Sequence, residues 1–100
     1  MISSFATFDW DRGNWPKCGK HGLSQDEIEQ VFEGQISVYP DKAPGPAEQR
    51  FNAVGKTYEG RHVFVVFTFR NRQGERLIRP ISARFMHLKE IQQYEIQTRT

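Results

Sequence analysis

Hydrophobic positions along the chain first alternate with polar ones, then recur at helical spacing, then alternate again over several successive segments. Phe8 and Trp10 alternate with Asp9 and Asp11, which predicts a short strand ending in a turn. Gly13, Pro16 and Gly19 then interrupt Arg12 to Lys20. Only a broken helix or turn fits there, started at Asn14 or Trp15 with Pro16 in its first turn. From Leu23 the helical signals are cleaner. Ser24 can cap, Glu27 three residues on completes a capping box, and Leu23 can staple onto Ile28. Ile28, Val31 and Phe32 form the apolar stripe, Asp26, Glu27 and Glu29 face water, and Gly34 is placed to end the helix.

Ile36, Val38 and Tyr39 predict a strand that stops at Pro40, and Asp41 to Glu48, with Pro44, Gly45 and Pro46, reads as a loop. Three strands follow over Arg50 to Tyr58, Arg61 to Phe69 and Arg76 to Arg84, separated by Glu59-Gly60 and by Asn71 to Glu75. In the middle one, Val63, Val65, Phe67 and Phe69 take one face and Phe64 and Val66 the other, so it is expected centrally, buried on both sides. Pro80 removes a ladder donor from the third, which predicts an edge position or a bulge. A last helix is expected from His87 or Leu88, with Leu88, Ile91 and Tyr94 turned inward. The pattern is that of an α+β fold: an antiparallel β-sheet meander with two N-terminal helices or helical turns and a C-terminal helix, forming a single domain over 1–100.

Composition narrows the class. A chain of 100 residues with 37% hydrophobic and 26% charged content has room for one core. Thirteen aromatic residues give that core enough apolar area that disulfides or a metal are not obligatory. The single Cys18 cannot form an intrachain bridge and suits a reducing compartment. With no charged-then-apolar leader at Met1, and Val63 to Phe67 as the longest apolar run, a cytoplasmic protein without a membrane segment is expected. Cys18 and His21 are spaced like half of a zinc site, but there is no second cysteine and His62 and His87 lack ligand spacing, so no metal and no cofactor are expected. Neither a nucleophile elbow nor a phosphate-binding glycine loop is present.

The net charge of +2 hides an asymmetry. Residues 1–49 hold four Lys/Arg and eight Asp/Glu, a balance of −4; residues 50–100 hold ten and four, a balance of +6. A basic field over strands attracts polyanions, making RNA or DNA the leading partner class. Arginines solvating exposed strand faces are the alternative.

Several local motifs match one family in order. Phe8-Asp9-Trp10-Asp11 is similar to the opening of the BrnT toxins, and Lys20-His21-Gly22 with Ser24 to the turn before their second helix. Glu48 with Arg50 and then Gly55 resembles their next strand, and Ile81-Ser82-Ala83-Arg84, followed by Lys89-Glu90 and Tyr94, their closing strand and helix. Together these cover nearly the whole chain. It departs from the pattern at Trp15-Pro16, at Pro80 and at Met86. The resemblance implies a RelE-like fold and the toxin of a type II toxin–antitoxin system, a metal-independent endoribonuclease that inhibits translation and growth. It also implies a BrnA-like ribbon-helix-helix antitoxin, two copies of each in the assembly, with operator DNA bound only through the antitoxin. A non-catalytic RNA-binding module and a protein-interaction domain are the alternatives.

In the chemistry so implied, the ribose 2′-hydroxyl attacks the adjacent phosphate. This requires a proton acceptor, cations for the doubly charged phosphorane and a proton donor for the departing 5′-oxygen. His21, the one histidine in a family-matching position, is the candidate base or acid, against a plain surface turn. Lys20 beside it offers a charge or a proton, against a solvated lysine. Arg50, Arg70 and Arg84 lie on or at the ends of adjacent strands, where a meander can converge them into phosphate-gripping forks; for Arg84 the alternative is a salt bridge to Glu33 or Glu90. Arg61, Arg79 and Tyr94 complete the set as RNA-binding candidates, Tyr94 by a hydroxyl contact or by stacking, against a core role.

Overall fold

The computed structural model describes residues 7–42 and 48–98. A 3-10 helix over Lys17–Gly19 is followed by α1 (Gln25–Val31), β1 (Ser37–Pro40), β2 (Phe51–Lys56), β3 (His62–Arg72), β4 (Glu75–Phe85) and α2 (Leu88–Thr98). The four strands form one antiparallel sheet in the order β1-β2-β3-β4. This is the α+β meander read from the sequence. The middle of the expected loop, 43–47, lies outside the described residues. β3 is central as expected, but its two faces differ. Val63, Val65 and Phe67 are fully buried, whereas Phe64 and Val66 on the other face are only half-buried.

The fully buried face is covered by α1 and the 3-10 helix. Ser24 caps α1 through a complete capping box: Glu27 N–H donates to Ser24 Oγ and Ser24 N–H to Glu27 Oε1, both at 3.0 Å. Leu23 and Ile28 flank this start and are both buried, as a hydrophobic staple requires. Gly34 does not end the helix. Phe32 is the C-cap with right-handed geometry, and the Glu33 N–H bond to the Gln30 carbonyl tightens the last turn, so no left-handed glycine is needed. Phe32 meets Phe8 and Phe67 edge-on at 5.5 and 5.2 Å, and Phe67 continues to Phe51 and Phe69. At Gly55 a Cβ would lie 2.8 Å from the Val31 carbonyl oxygen, so the absent side chain sets how closely α1 approaches β2.

The expected first strand reduces to one parallel bridge between Phe8 and Ile78 on the outer side of β4. Pro80 satisfies both of its expectations. It lies on the last strand of the meander beside a bulge, where Val66 and Phe67 face Ser82 and Pro80 and Ile81 is left over. Asn14, 3% exposed, donates to the carbonyls of both Asp9 and Pro80 at 2.9 Å and ties the N-terminal turns to this kink.

α2 buries none of its residues. Ile91 and Tyr94 are half-buried, but Leu88, expected inward, is 70% exposed. Glu90 and Tyr94 hold the helix to the sheet one turn apart, and a residue two positions from either is rotated by roughly 200°. Leu88 and Ile96 therefore point to solvent.

Candidate functional site on the half-covered face

Strand alternation determines which side chains occupy the face opposite α1. Phe51 and Ala53 belong to the core and Gly55 abuts Val31, so Asn52, Val54 and Lys56 of β2 point the other way. The register puts Ser37 and Tyr39 of β1, His62, Phe64 and Val66 of β3, and Ser82 and Arg84 of β4 beside them. α2 covers one end of this face.

At that end Arg84 reaches α2. Its two terminal nitrogens each donate to one oxygen of the Glu90 carboxylate at 2.8 Å, and the guanidinium lies 5.0 Å from the centre of the Phe64 ring. Glu90 also accepts from the His87 N–H at 2.9 Å. The Arg84 fork, with help from that N–H, holds the Glu90 carboxyl down at about 2, and Glu90 in turn raises Arg84. One helical turn on, the Tyr94 hydroxyl is 2.7 Å from Ser37 Oγ. Its ring lies 6.2 Å from that of His62. The His62 side chain is 10% exposed, with Nε2 3.8 Å from Glu95 Oε2, and Lys56 sits directly across the β2–β3 pairing from His62. A groove of roughly 1100 Å³ extends from here to the end of α1, lined by Gln30, Glu33, Ser37, Lys56, His62 and Tyr94 among others, with Arg84 outside its lining.

The other end is a field of matched charges. Arg70 donates to Glu48 at 2.9 and 3.3 Å. Asp9 accepts from Arg72 at 3.0 and 3.2 Å and from Arg79 at 3.0 Å, and Arg79 also grips Asp11. Burial works to raise the Asp9 carboxyl, but the hydrogen bonds from Arg72 and Arg79 outweigh it and the net shift is downward. Between the two ends, Arg50 Nε and Asn52 Oδ1 are buried without a hydrogen-bond partner.

The sequence-derived candidates are thus distributed unevenly. Arg50, Arg70 and Arg84 share this face, as does Tyr94, but they do not converge. Arg50 precedes the Phe51–Phe67 pair while Arg84 faces Phe64, a separation of about 10 Å or more along the strands. Arg79 is held by two aspartates, and Arg61 lies 3.5 Å over the ring of Phe85, a residue packed against the core on the opposite face. Lys20 and His21 occupy the turn between the 3-10 helix and α1, in the helical layer; both are exposed, and neither makes a side-chain hydrogen bond or ion pair among the described residues. Cys18 is buried in the core, where burial raises its thiol, whereas His21 is exposed. Of the alternatives for Arg84, Glu90 is the partner, while Glu33 accepts from the Tyr58 hydroxyl at 2.6 Å. Lys56, Asn52 and His62, not among the sequence-derived candidates, lie on the same face as Arg84. Counting alternate positions outward from the β2–β3 turn would have put all three on the face of Arg84.

The family described as the ribonuclease toxin BrnT of type II toxin–antitoxin systems has a model that matches residues 10–90. The chain belongs to that family. Comparison with curated proteins gives no match. Membership in the BrnT family indicates a ribonuclease toxin, and a type II system implies an antitoxin partner. The BrnT match takes in the whole sheet, the Arg84–Glu90 pair, Lys56 and His62, and ends before Tyr94 and Glu95. Among the described residues no helix is long and apolar enough to cross a membrane.

Proposed function

We propose that this BrnT-family chain is a metal-independent endoribonuclease of RelE-like fold that cuts RNA on the half-covered face of its sheet. A ribose 2′-hydroxyl attacks the adjacent phosphate, and loss of cellular RNA arrests translation and growth. One observation carries the reading: the Arg84 fork, at the α2 end of the half-covered sheet face, is engaged by a planar pair of anionic oxygens at 2.8 Å. An RNA phosphodiester offers a similar pair of anionic oxygens with the same single charge and gains a second charge in the phosphorane, so RNA can take the place of Glu90. Arg50, with an unsatisfied Nε, supplies a second cation further along the face, suited to a neighbouring phosphate. Fixed guanidiniums aimed where charge develops stabilise the phosphorane without reorganisation. Lys20 and His21 have no part in bond breaking in this reading, because the sheet separates them from Arg84. The antitoxin is BrnA-like, a ribbon-helix-helix protein assembling as two copies with two toxins and carrying the operator DNA contact.

The test is incubation of the purified, antitoxin-free chain with RNA in EDTA, with mapping of new ends. Cleavage leaving 2′,3′-cyclic phosphates is expected. Arg84→Ala should lower it about 10²–10³-fold, as removal of one transition-state donor does elsewhere, while His21→Ala should leave it unchanged. Salt-sensitive RNA binding without new ends would replace this reading with a non-catalytic RNA-binding module.

A further inference from the structure

The chemistry above needs a group that accepts the 2′-hydroxyl proton, and arginines cannot supply it. His62 has the required features. Its side chain is nine-tenths buried, yet Nε2 has no hydrogen-bond partner, and the nearest anion, Glu95 Oε2 at 3.8 Å, is beyond hydrogen-bond reach. Leaving such a nitrogen unmet costs stability unless a ligand meets it. It lines a groove beside α2 together with Lys56 opposite on β2 and Tyr94 and Glu95 on α2, while Arg84, just outside the groove, stands diagonal to it on β4. Diagonal neighbours on one sheet face stand roughly 7–8 Å apart. The α2 contacts agree. Glu90, which holds Arg84, and Tyr94, which meets His62, are four residues apart on one helix face, about 5–6 Å. A phosphate on Arg84 therefore brings the ribose beside it within reach of His62, once the half-exposed Glu95 side chain swings aside.

We infer that His62, with Lys56 as its counterpart, is the proton-transfer pair of the ribonuclease site; the inference rests on the RNA-cleaving reading above. His62 Nε2 takes the 2′-hydroxyl proton as the 2′-oxygen bonds to phosphorus. The bond from phosphorus to the 5′-oxygen breaks, and the Lys56 ammonium gives that oxygen its proton. The products are a 2′,3′-cyclic phosphate and a 5′-hydroxyl. Neutral Lys56 and protonated His62 then re-exchange with water. The charged groups facing His62 are Lys56, Glu95 and Arg84, with the Tyr94 phenol beside it.

The experiment compares the full chain with its His62→Gln and Lys56→Met variants. Each is given ordinary RNA, RNA with sulfur in place of the 5′-oxygen at the cut linkage, and uncleavable 2′-deoxy RNA. Removing the proton acceptor should lower cleavage by about 10²–10⁴-fold with unchanged affinity for the 2′-deoxy strand, and abolish the acid-side fall in rate that an imidazole base produces between roughly pH 5 and 8. Lys56→Met should be slow on ordinary RNA and restored on the sulfur substrate, whose leaving group needs no proton. An active wild type whose His62→Gln form cleaves within about threefold of it, with the same pH profile, overturns the inference and leaves the ribonuclease reading standing. Should His62→Gln fail to fold, the wild-type profile decides, since a rate flat across that pH range also overturns it. A wild type that cuts no RNA overturns both.

Discussion

Replacing Glu90 with glutamine isolates the charge that occupies Arg84. The amide can still accept from the His87 N–H, now 2.9 Å from the carboxylate, and glutamine serves as well as glutamate at that third helical position. The start of α2 is therefore preserved. What is lost is the charge on the Arg84 fork. Both side chains are 37% exposed, so the pair is screened by water and is worth about 0.5–1 kcal/mol, despite its bidentate geometry. If RNA phosphate competes with Glu90 for Arg84, relieving that competition should tighten RNA binding by about two- to fivefold. Freeing one cation should also steepen the salt dependence by about 0.7 in log–log slope, the value for one phosphate contact on a single strand. Fluorescence anisotropy with an uncleavable 2′-deoxy oligonucleotide at two or more salt concentrations measures both. Equal or weaker binding at an unchanged salt slope would refute the assignment of Arg84 to phosphate, because the same pair would then be a purely structural clasp for α2.

Two further perturbations test the frame that holds the site. Gly55→Ala puts a methyl group 2.8 Å from the Val31 carbonyl and 2.9 Å from Ile36 Cγ2, so urea unfolding should show a loss of about 1–3 kcal/mol with the denaturant slope unchanged; a neutral result would mean that α1 can shift freely on β2. Asp9→Asn removes the carboxylate shared by Arg72 and Arg79 and should cost about 1–3 kcal/mol at pH 7. Since the folded Asp9 carboxyl lies below its unfolded value, its contribution is complete above about pH 4 and is lost as pH falls through the folded value. The variant should accordingly lose less stability than the wild type between pH 7 and pH 3; an equal loss in both would remove Asp9 from the acid response.

The elements themselves were legible because their signals are local. Ser24 and Glu27 are three residues apart and define the start of α1 without help from the rest of the chain. The alternation from Val63 to Phe69 likewise marked β3 and its place in the middle. Even Pro80 announced its irregularity, because a missing N–H is felt wherever the ladder needs one. Side-chain partners at long range were another matter. The +6 balance of the second half read as a basic field, yet the fold carries Asp9, Asp11 and Glu48 from the acidic half onto Arg70, Arg72 and Arg79, and lays Arg61 and Arg76 over the rings of Phe85 and Phe69. Charge counted along a chain says how much is present; only pairing across the sheet decides how much is left over. The same holds for histidine. His21 had the matching motif but sits in the helical layer, whereas His62 reaches the face of Arg84 through the register of one hairpin. A shift of a single residue would have turned it inward, and with a side-chain period of two that choice belongs to the tertiary structure.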